Sequence, residues 1–385
     1  MSPNLRYVLP GFALIAVTYG LARFAYGVFL PAIREDVALS PSLSGLIGGG
    51  SYAGYCLAIV ASALVAERLG PRATAALAGL VAAIGMAAIA LAPSPWLLAA
   101  AVLLAGMSTG LASPPLAEAV AMRIAPEGQG RANTIINSGT SAGVVLSGPV
   151  ALAATGAWRE AYLVFAVLAA GVTVWVWMAL PMRGGRRDGA APDLSWSVLG
   201  RPAARPLVLA AFGMGAASAA YWTFAGEIVR EVGGLSPSVA NTAWVVVGVS
   251  GFAGAAAGDL VRRFGISAVN RTALALLGTA IVSLGALPGH VASAYGAAGL
   301  FGAAYIMLTG VYLVWGVRVF SDRPAIGLGL PFLMVAIGQA VGAPIAGGLI
   351  GTIGYAMAFA AFAAVALLAM LATPPAVANL RACSA

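Results

Sequence analysis

Long apolar stretches, each close to the length that crosses a bilayer as a helix, follow one another along the chain, and the short turns between them hold nearly all the charge. The pattern predicts twelve helices, over residues 7–33, 42–66, 73–91, 96–122, 132–154, 158–180, 207–229, 238–261, 268–287, 291–317, 326–350 and 355–371. Between the sixth and seventh the composition turns to Arg, Gly, Asp, Ser and Pro, the one long polar segment, with a short interfacial helix expected around 194–199.

The polar turns repeat. ALVAERLGPR (63–72) joins the second and third apolar stretches, and GDLVRRFG (258–265) joins the eighth and ninth. Leu39-Ser40-Pro41-Ser42 recurs as Leu235-Ser236-Pro237-Ser238, Arg34-Glu35 as Arg230-Glu231, and Gly143 with Pro149 as Gly338 with Pro344. Aromatic residues follow suit, Trp158, Tyr162 and Phe165 being echoed by Tyr355, Phe359 and Phe362. The expectation is an all-α polytopic membrane protein of two pseudo-symmetric six-helix bundles, 1–181 and 206–385 with a short tail, joined by a linker over 182–205.

Composition agrees, with 61% hydrophobic and 8% charged residues, too few to cover a water-facing surface. All twenty basic residues are arginine. With the N-terminus inside, only Arg34, Arg159 and Arg230 fall outside and Arg23 lies within a helix, an asymmetry that puts both termini in the cytoplasm. The same spread over loops excludes nucleic acid as the partner of this basic chain. Cys56 and Cys383 are placed too far apart to pair, so neither a disulfide nor a metal site is implied. The first apolar stretch lacks a signal peptide's flanks and is expected to be retained.

The turn AERLGPR resembles the G-x-x-x-D-R-x-G-R-R signature between helices 2 and 3 of the major facilitator superfamily, with Ala63 at the glycine, Glu67 at the aspartate, and Arg68, Gly70 and Arg72 matching. Its second-half copy departs further, with Arg262 at the acidic position, and the family's arginine-glycine signature in helix 4 is missing. Gly143 to Pro149 is similar to the family's helix 5 pattern, frequent in exporters. YGLARFAYGVFLPAIRED in helix 1 looks more narrowly like the YbfB/YjiJ-type branch. The resemblance implies a central site among helices 1, 4, 7 and 10, with the glycine-rich helices 2, 5, 8 and 11 as the moving seam.

Arg23 is the sharpest chemical signal, since an arginine inside a membrane helix is costly unless it faces a wet cavity or a partner. Helical spacing sets it between Tyr19 and Tyr26, a site for an anionic or carboxylate-bearing substrate; a structural ion pair with a neighbouring helix is the alternative. Glu118 and Glu227 are candidates for proton coupling, against roles in a charge cluster with Arg68 or Arg72 for the first and in pairing with Arg230 for the second. Glu67, Arg68, Gly70 and Arg72, with Asp259, Arg262 and Arg263 in the second half, read as gate residues or as solvated turns. Asn137, Tyr221, Trp222, Tyr305, Tyr312 and Gln339 are cavity-lining candidates; for each alone, packing explains the residue equally well.

Catalysis fares badly. Gly139-Thr140-Ser141-Ala142-Gly143 matches G-x-S-x-G but lies inside an apolar helix, and His290, the sole histidine, is expected in an outer loop. A chain without lysine has no phosphate-binding G-x-x-x-x-G-K-[ST], so ATP is not the energy source. The expectation is a cofactor-free, monomeric secondary transporter of the bacterial inner membrane, coupled to protons and moving a small organic anion or carboxylate-bearing amphiphile. An exporter of hydrophobic drug-like compounds is the second reading, and a ligand sensor or scaffold that moves nothing is the third.

Overall fold

The serine-proline pairs that repeat along the chain start its helices. In the computed structural model, which describes residues 5–154, 156–182, 201–321 and 324–374 (side chains of 63, 64, 67, 126, 127, 324 and 325 excepted), Ser40 accepts from the Leu43 N–H at 3.2 Å. Ser236 does the same for Val239 at 3.4 Å. Each serine caps a helix whose first residue is proline, Pro41 or Pro237, where the missing N–H has no helical partner to lose.

Eleven helices are long and apolar enough to cross a membrane among the described residues. They are α1 (Leu5–Val37), α2 (Pro41–Ser62), α3 (Arg68–Leu91), α4 (Pro95–Arg123), α5 (Gly128–Ala154), α6 (Trp158–Ala179), α7 (Ala204–Val232), α8 (Pro237–Phe264), α9 (Ile266–Ala286), α10 (Val291–Val319) and α11 (Ile326–Ala369). The sequence pattern predicts twelve. The difference lies in α11, whose 44 residues cover the last two predicted helices and bend at Gly354, where φ is +81°. All regular structure among the described residues is helical, and the expected interfacial helix at 194–199 lies outside them.

The repeat is visible in the backbone. Gly70, at a kink near the start of α3, and Gly265, in the turn before α9, take φ of +76° and +81°, a conformation that a side chain would strain. The Gly143 and Gly338 patterns are packing devices. A Cβ at Gly143 would stand 2.2 Å from the Ala16 carbonyl oxygen, and one at Gly338 2.2 Å from that of Phe212, so α5 lies against α1 as α11 lies against α7. α1 and α7 are the most buried spans. α6 is among the least, presenting Val167, Val174, Trp175, Trp177 and Met178 outward as a lipid-facing side does.

Besides the crossing of α1 and α7, where a Cβ at Gly27 would clash with the Trp222 carbonyl, contact between the first six helices and the rest runs along two seams. In one, a Cβ at Gly45 would meet the Ala343 carbonyl at 2.4 Å and one at Gly347 the Pro41 carbonyl at 2.3 Å, bringing α2 and α11 together backbone to backbone. In the other, Gly148 and Gly248 interlock α5 with α8, and Trp244 Nε1 donates to Ser147 Oγ at 3.0 Å. These contacts lie toward the starts of α2 and α8, the end opposite Leu5. At the Leu5 end Ile135, Asn137, Phe264 and Leu328 are exposed.

Candidate functional site

Arg23 lies in a run of π-helix, Ala16–Phe24, whose wider turns are closed by bonds such as Ala25 N–H to the Gly20 carbonyl, five residues back. That geometry decides what the guanidinium meets. It lies over the rings of Tyr52 (4.7 Å), Tyr55 (4.9 Å), Phe24 (5.0 Å) and Tyr19 (5.7 Å), an aromatic nest built from α1 and α2. Each such contact is worth about 0.5–2 kcal/mol, more as water is excluded, and Arg23 is only 5% exposed.

Its polar partner comes from the other end of the sequence. Arg23 Nη2 donates to Gln339 Oε1 at 2.5 Å, and Gln339 Nε2 donates to the Tyr305 hydroxyl at 3.1 Å and to Ser218 Oγ at 3.4 Å. A guanidinium can only donate, which fixes the amide with its oxygen toward Arg23. Four helices, α1, α7, α10 and α11, thus meet in one hydrogen-bonded chain. Among the described residues Arg23 Nε has no protein acceptor and no carboxylate pairs with Arg23. Trp222 joins the cluster by stacking on Phe24 at 4.1 Å and meeting Tyr305 edge-on at 5.1 Å.

Of the residues expected here, Arg23, Tyr19, Trp222, Tyr305 and Gln339 come together. Tyr26 does not flank Arg23: the π-helical phase ends at Phe24, and the Tyr26 hydroxyl turns to the Ser44 carbonyl at 3.2 Å. Tyr221 stacks on Phe301 at 3.8 Å, one ring removed from Trp222. Tyr312 bonds the Ala210 carbonyl at 3.1 Å, tying α10 to α7, and Asn137 is exposed on α5. Tyr52, Tyr55 and Phe24 are members of the site that the sequence reading misses. Tyr52 and Tyr55 are spaced at one turn on α2, a readable signal in a helix notable chiefly for its glycines.

A second charge cluster closes the end opposite Leu5. Glu227 on α7 is fully buried and pairs with Arg34 of α1 and with the Tyr355 hydroxyl of α11. The alternative of a Glu227–Arg230 pair is not what forms: Arg230 reaches Glu35 at 3.6 Å instead, so the repeated Arg-Glu dyads cross between α1 and α7. Arg34 also donates to the Leu39 carbonyl at 2.9 Å, and Arg159 pairs with Asp36 at 2.9 Å.

The Leu5 end is organised differently. Arg72 donates to the Leu180 carbonyl at 2.8 Å and lies over Trp177 at 5.8 Å, fastening the turn to α6. Asp259 pairs with Arg262 one turn along α8, and Arg263 lies over Phe264 at 5.1 Å; both are local contacts. Arg68 and Glu118 are exposed, and the Glu67 side chain lies outside the described residues.

The sequence profile of the Major Facilitator Superfamily matches residues 12–330. The chain belongs to the Major Facilitator Superfamily. Membership makes it a membrane transporter and not an enzyme. No curated protein matches the sequence. Among solved structures of the superfamily's fold, it is similar to a mutant form of the nucleoside transporter NupG, at 13% identity and TM-score 0.79, over 95% of this chain and 98% of that one. It is also similar to a bacterial homologue of the human lysosomal transporter Spinster, inward-facing and occupied, at 17% identity and TM-score 0.77, over 97% and 96%. At these identities the likeness is one of fold.

Proposed function

We propose that this superfamily member carries a small organic anion or carboxylate-bearing amphiphile across the bacterial inner membrane by alternating access, with Arg23 as the anchor. The observation that carries the reading is a buried guanidinium whose described partners are a neutral amide and aromatic rings. A cation held out of water without a counter-ion favours any anion that can reach it, and the guanidinium fork fits a carboxylate. A nucleoside, the cargo in the name of one structural neighbour, is neutral and leaves that charge unbalanced.

Several features support the mechanism. The bend at Gly354 supports reading α11 as two crossings, and with it a twelve-helix arrangement of two bundles, 1–181 and 206–385, about the linker. With the Leu5 end in the cytoplasm, a reading the arginine asymmetry supports, the charge cluster around Glu227 lies on the outer side. Glu227 is the preferred proton site over Glu118, because protonation of a buried carboxylate dissolves its pair with Arg34 and unlocks the outer end. The protein acts as a monomer, and YGLARFAYGVFLPAIRED supports placing it in the YbfB/YjiJ-type branch.

Flux in proteoliposomes holding only this protein tests the reading. A panel of small carboxylates should include one that moves down an imposed pH gradient in wild type and not in Arg23→Gln. Equal carboxylate flux in the two would overturn Arg23 as anchor, and no flux of any solute would overturn transport.

A further inference from the structure

We propose that the Gln339 amide is a stand-in for substrate, occupying on Arg23 the place of a carboxylate, and that the cargo is therefore a monoanion with an apolar body. The inference rests on Arg23 being the substrate anchor.

Three observations lead to it. First, Gln339 Oε1 meets Arg23 as a carboxylate oxygen would, at 2.5 Å and from a planar sp² group, but without charge. Its amide nitrogen is held in turn by Tyr305 and Ser218, so the oxygen is presented to Arg23 from a fixed scaffold on α11. Second, the guanidinium is not saturated: Nε has no protein acceptor, which leaves a donor for a second oxygen beside the first. Third, the surroundings count the charge. Arg23 and Glu227 are the only charged residues buried among those described, and Glu227 is committed to Arg34. One cation is balanced by one negative charge, and a second carboxylate would be left among Tyr19, Phe24, Tyr52, Tyr55 and Trp222, where an unpaired ion is strongly disfavoured. Those rings suit a hydrocarbon or aryl body.

The stand-in has a mechanical consequence. Arg23 belongs to the first six helices and Gln339 to the last, so the amide holds the two sets together at mid-depth when no cargo is bound. A carboxylate on Arg23 displaces Gln339 Oε1 and removes that tie. Substrate entry and separation of α1 from α11 become one event.

The test is the thermal midpoint of purified full-length protein with benzoate and hexanoate (monoanions), benzamide (neutral) and phthalate (dianion), in wild type, Arg23→Gln, Gln339→Glu and Gln339→Leu. Ligand bound only to the folded state raises the midpoint by mass action. Expected are stabilisation of wild type by a monocarboxylate, at least tenfold weaker response to phthalate, none to benzamide, and loss of response in Arg23→Gln. Gln339→Glu, which puts a permanent carboxylate on Arg23, should raise the ligand-free midpoint and abolish the monocarboxylate response. Gln339→Leu should keep or strengthen it.

A monocarboxylate response undiminished in Gln339→Glu, or phthalate matching benzoate, overturns the stand-in while leaving Arg23 as anchor. The absence of any Arg23-dependent response to the four compounds overturns both readings together. If Gln339→Glu fails to fold, the Gln339→Leu response decides: a tenfold loss there makes Gln339 a substrate ligand instead of a competitor.

Discussion

Arg34 and Glu227 form an ion pair between α1 and α7 in which the carboxylate is fully buried and the arginine keeps one edge toward solvent. The pair is completed by Tyr355 from α11, so one carboxylate gathers three helices at the closed end. Removing one member of a buried pair leaves the other uncompensated, which is worse than removing both.

Arg34→Ala is therefore expected to lower stability by about 3 kcal/mol, and Arg34→Ala with Glu227→Gln by less than the single change. Thermal unfolding of the two variants in the same detergent checks this ordering. A double variant less stable than Arg34→Ala would mean that Glu227 has support other than Arg34 and Tyr355.

Accessibility should divide along the same axis. In a background with Cys56 and Cys383 replaced by serine, Asn137→Cys, exposed toward the Leu5 end, should react quickly with a membrane-impermeant maleimide offered from the side facing it. Ser44→Cys, fully buried behind the α2–α11 seam, should react at least tenfold more slowly. Monocarboxylate binding should narrow the difference, as expected if the tie at Gln339 is released.

Close approach of α1 and α5 makes Gly143 intolerant of even one methyl group. Gly143→Ala should destabilise by about 1–3 kcal/mol through forced separation of the two backbones. Gly348→Ala, with open space where its Cβ would stand, should be neutral or slightly stabilising in the same thermal assay. Equal behaviour of the two would remove the packing explanation for the glycine-proline pattern.

Arg23→Lys separates charge from geometry. An ammonium keeps the positive charge but loses the planar fork and most of the stacking over Tyr52 and Tyr55. Monocarboxylate affinity should fall about tenfold, which corresponds to ~1.4 kcal/mol, with flux reduced and not abolished. Affinity equal to wild type would mean that charge alone recruits the anion.

Local signals are legible in the sequence and long-range ones only in part. Ser40-Pro41 and Ser236-Pro237 declare helix starts because a cap is made within three residues, and Gly70 and Gly265 declare turns because their backbone conformation excludes other residues. Arg23 is conspicuous wherever it points, because burial of its charge needs explaining in any packing. Its neighbours are harder to read. The switch to π-helix over Ala16–Phe24 shifts the phase that ordinary helical spacing assumes and moves Tyr26 away from Arg23, while Tyr52 and Tyr55 reach Arg23 only through the packing of α2 on α1. Arg34 and Glu227 are each visible, but their partnership depends on how α1 and α7 cross, and periodicity carries no record of that.

The seam of α2 and α11, where Gly45 faces the Ala343 carbonyl, Gly347 that of Pro41 and Gly49 the Pro344 ring, is made of close backbone approach and one proline, with no polar side chain in those contacts. Its geometry is thus indifferent to what the cavity wall displays. Replacing Tyr52 or Tyr305 alters the recognition surface while this backbone contact stays as it is. Side chains of the site that lie off this seam can therefore be revised without disturbing it, which makes this chain a good starting scaffold for carriers redirected to other cargo.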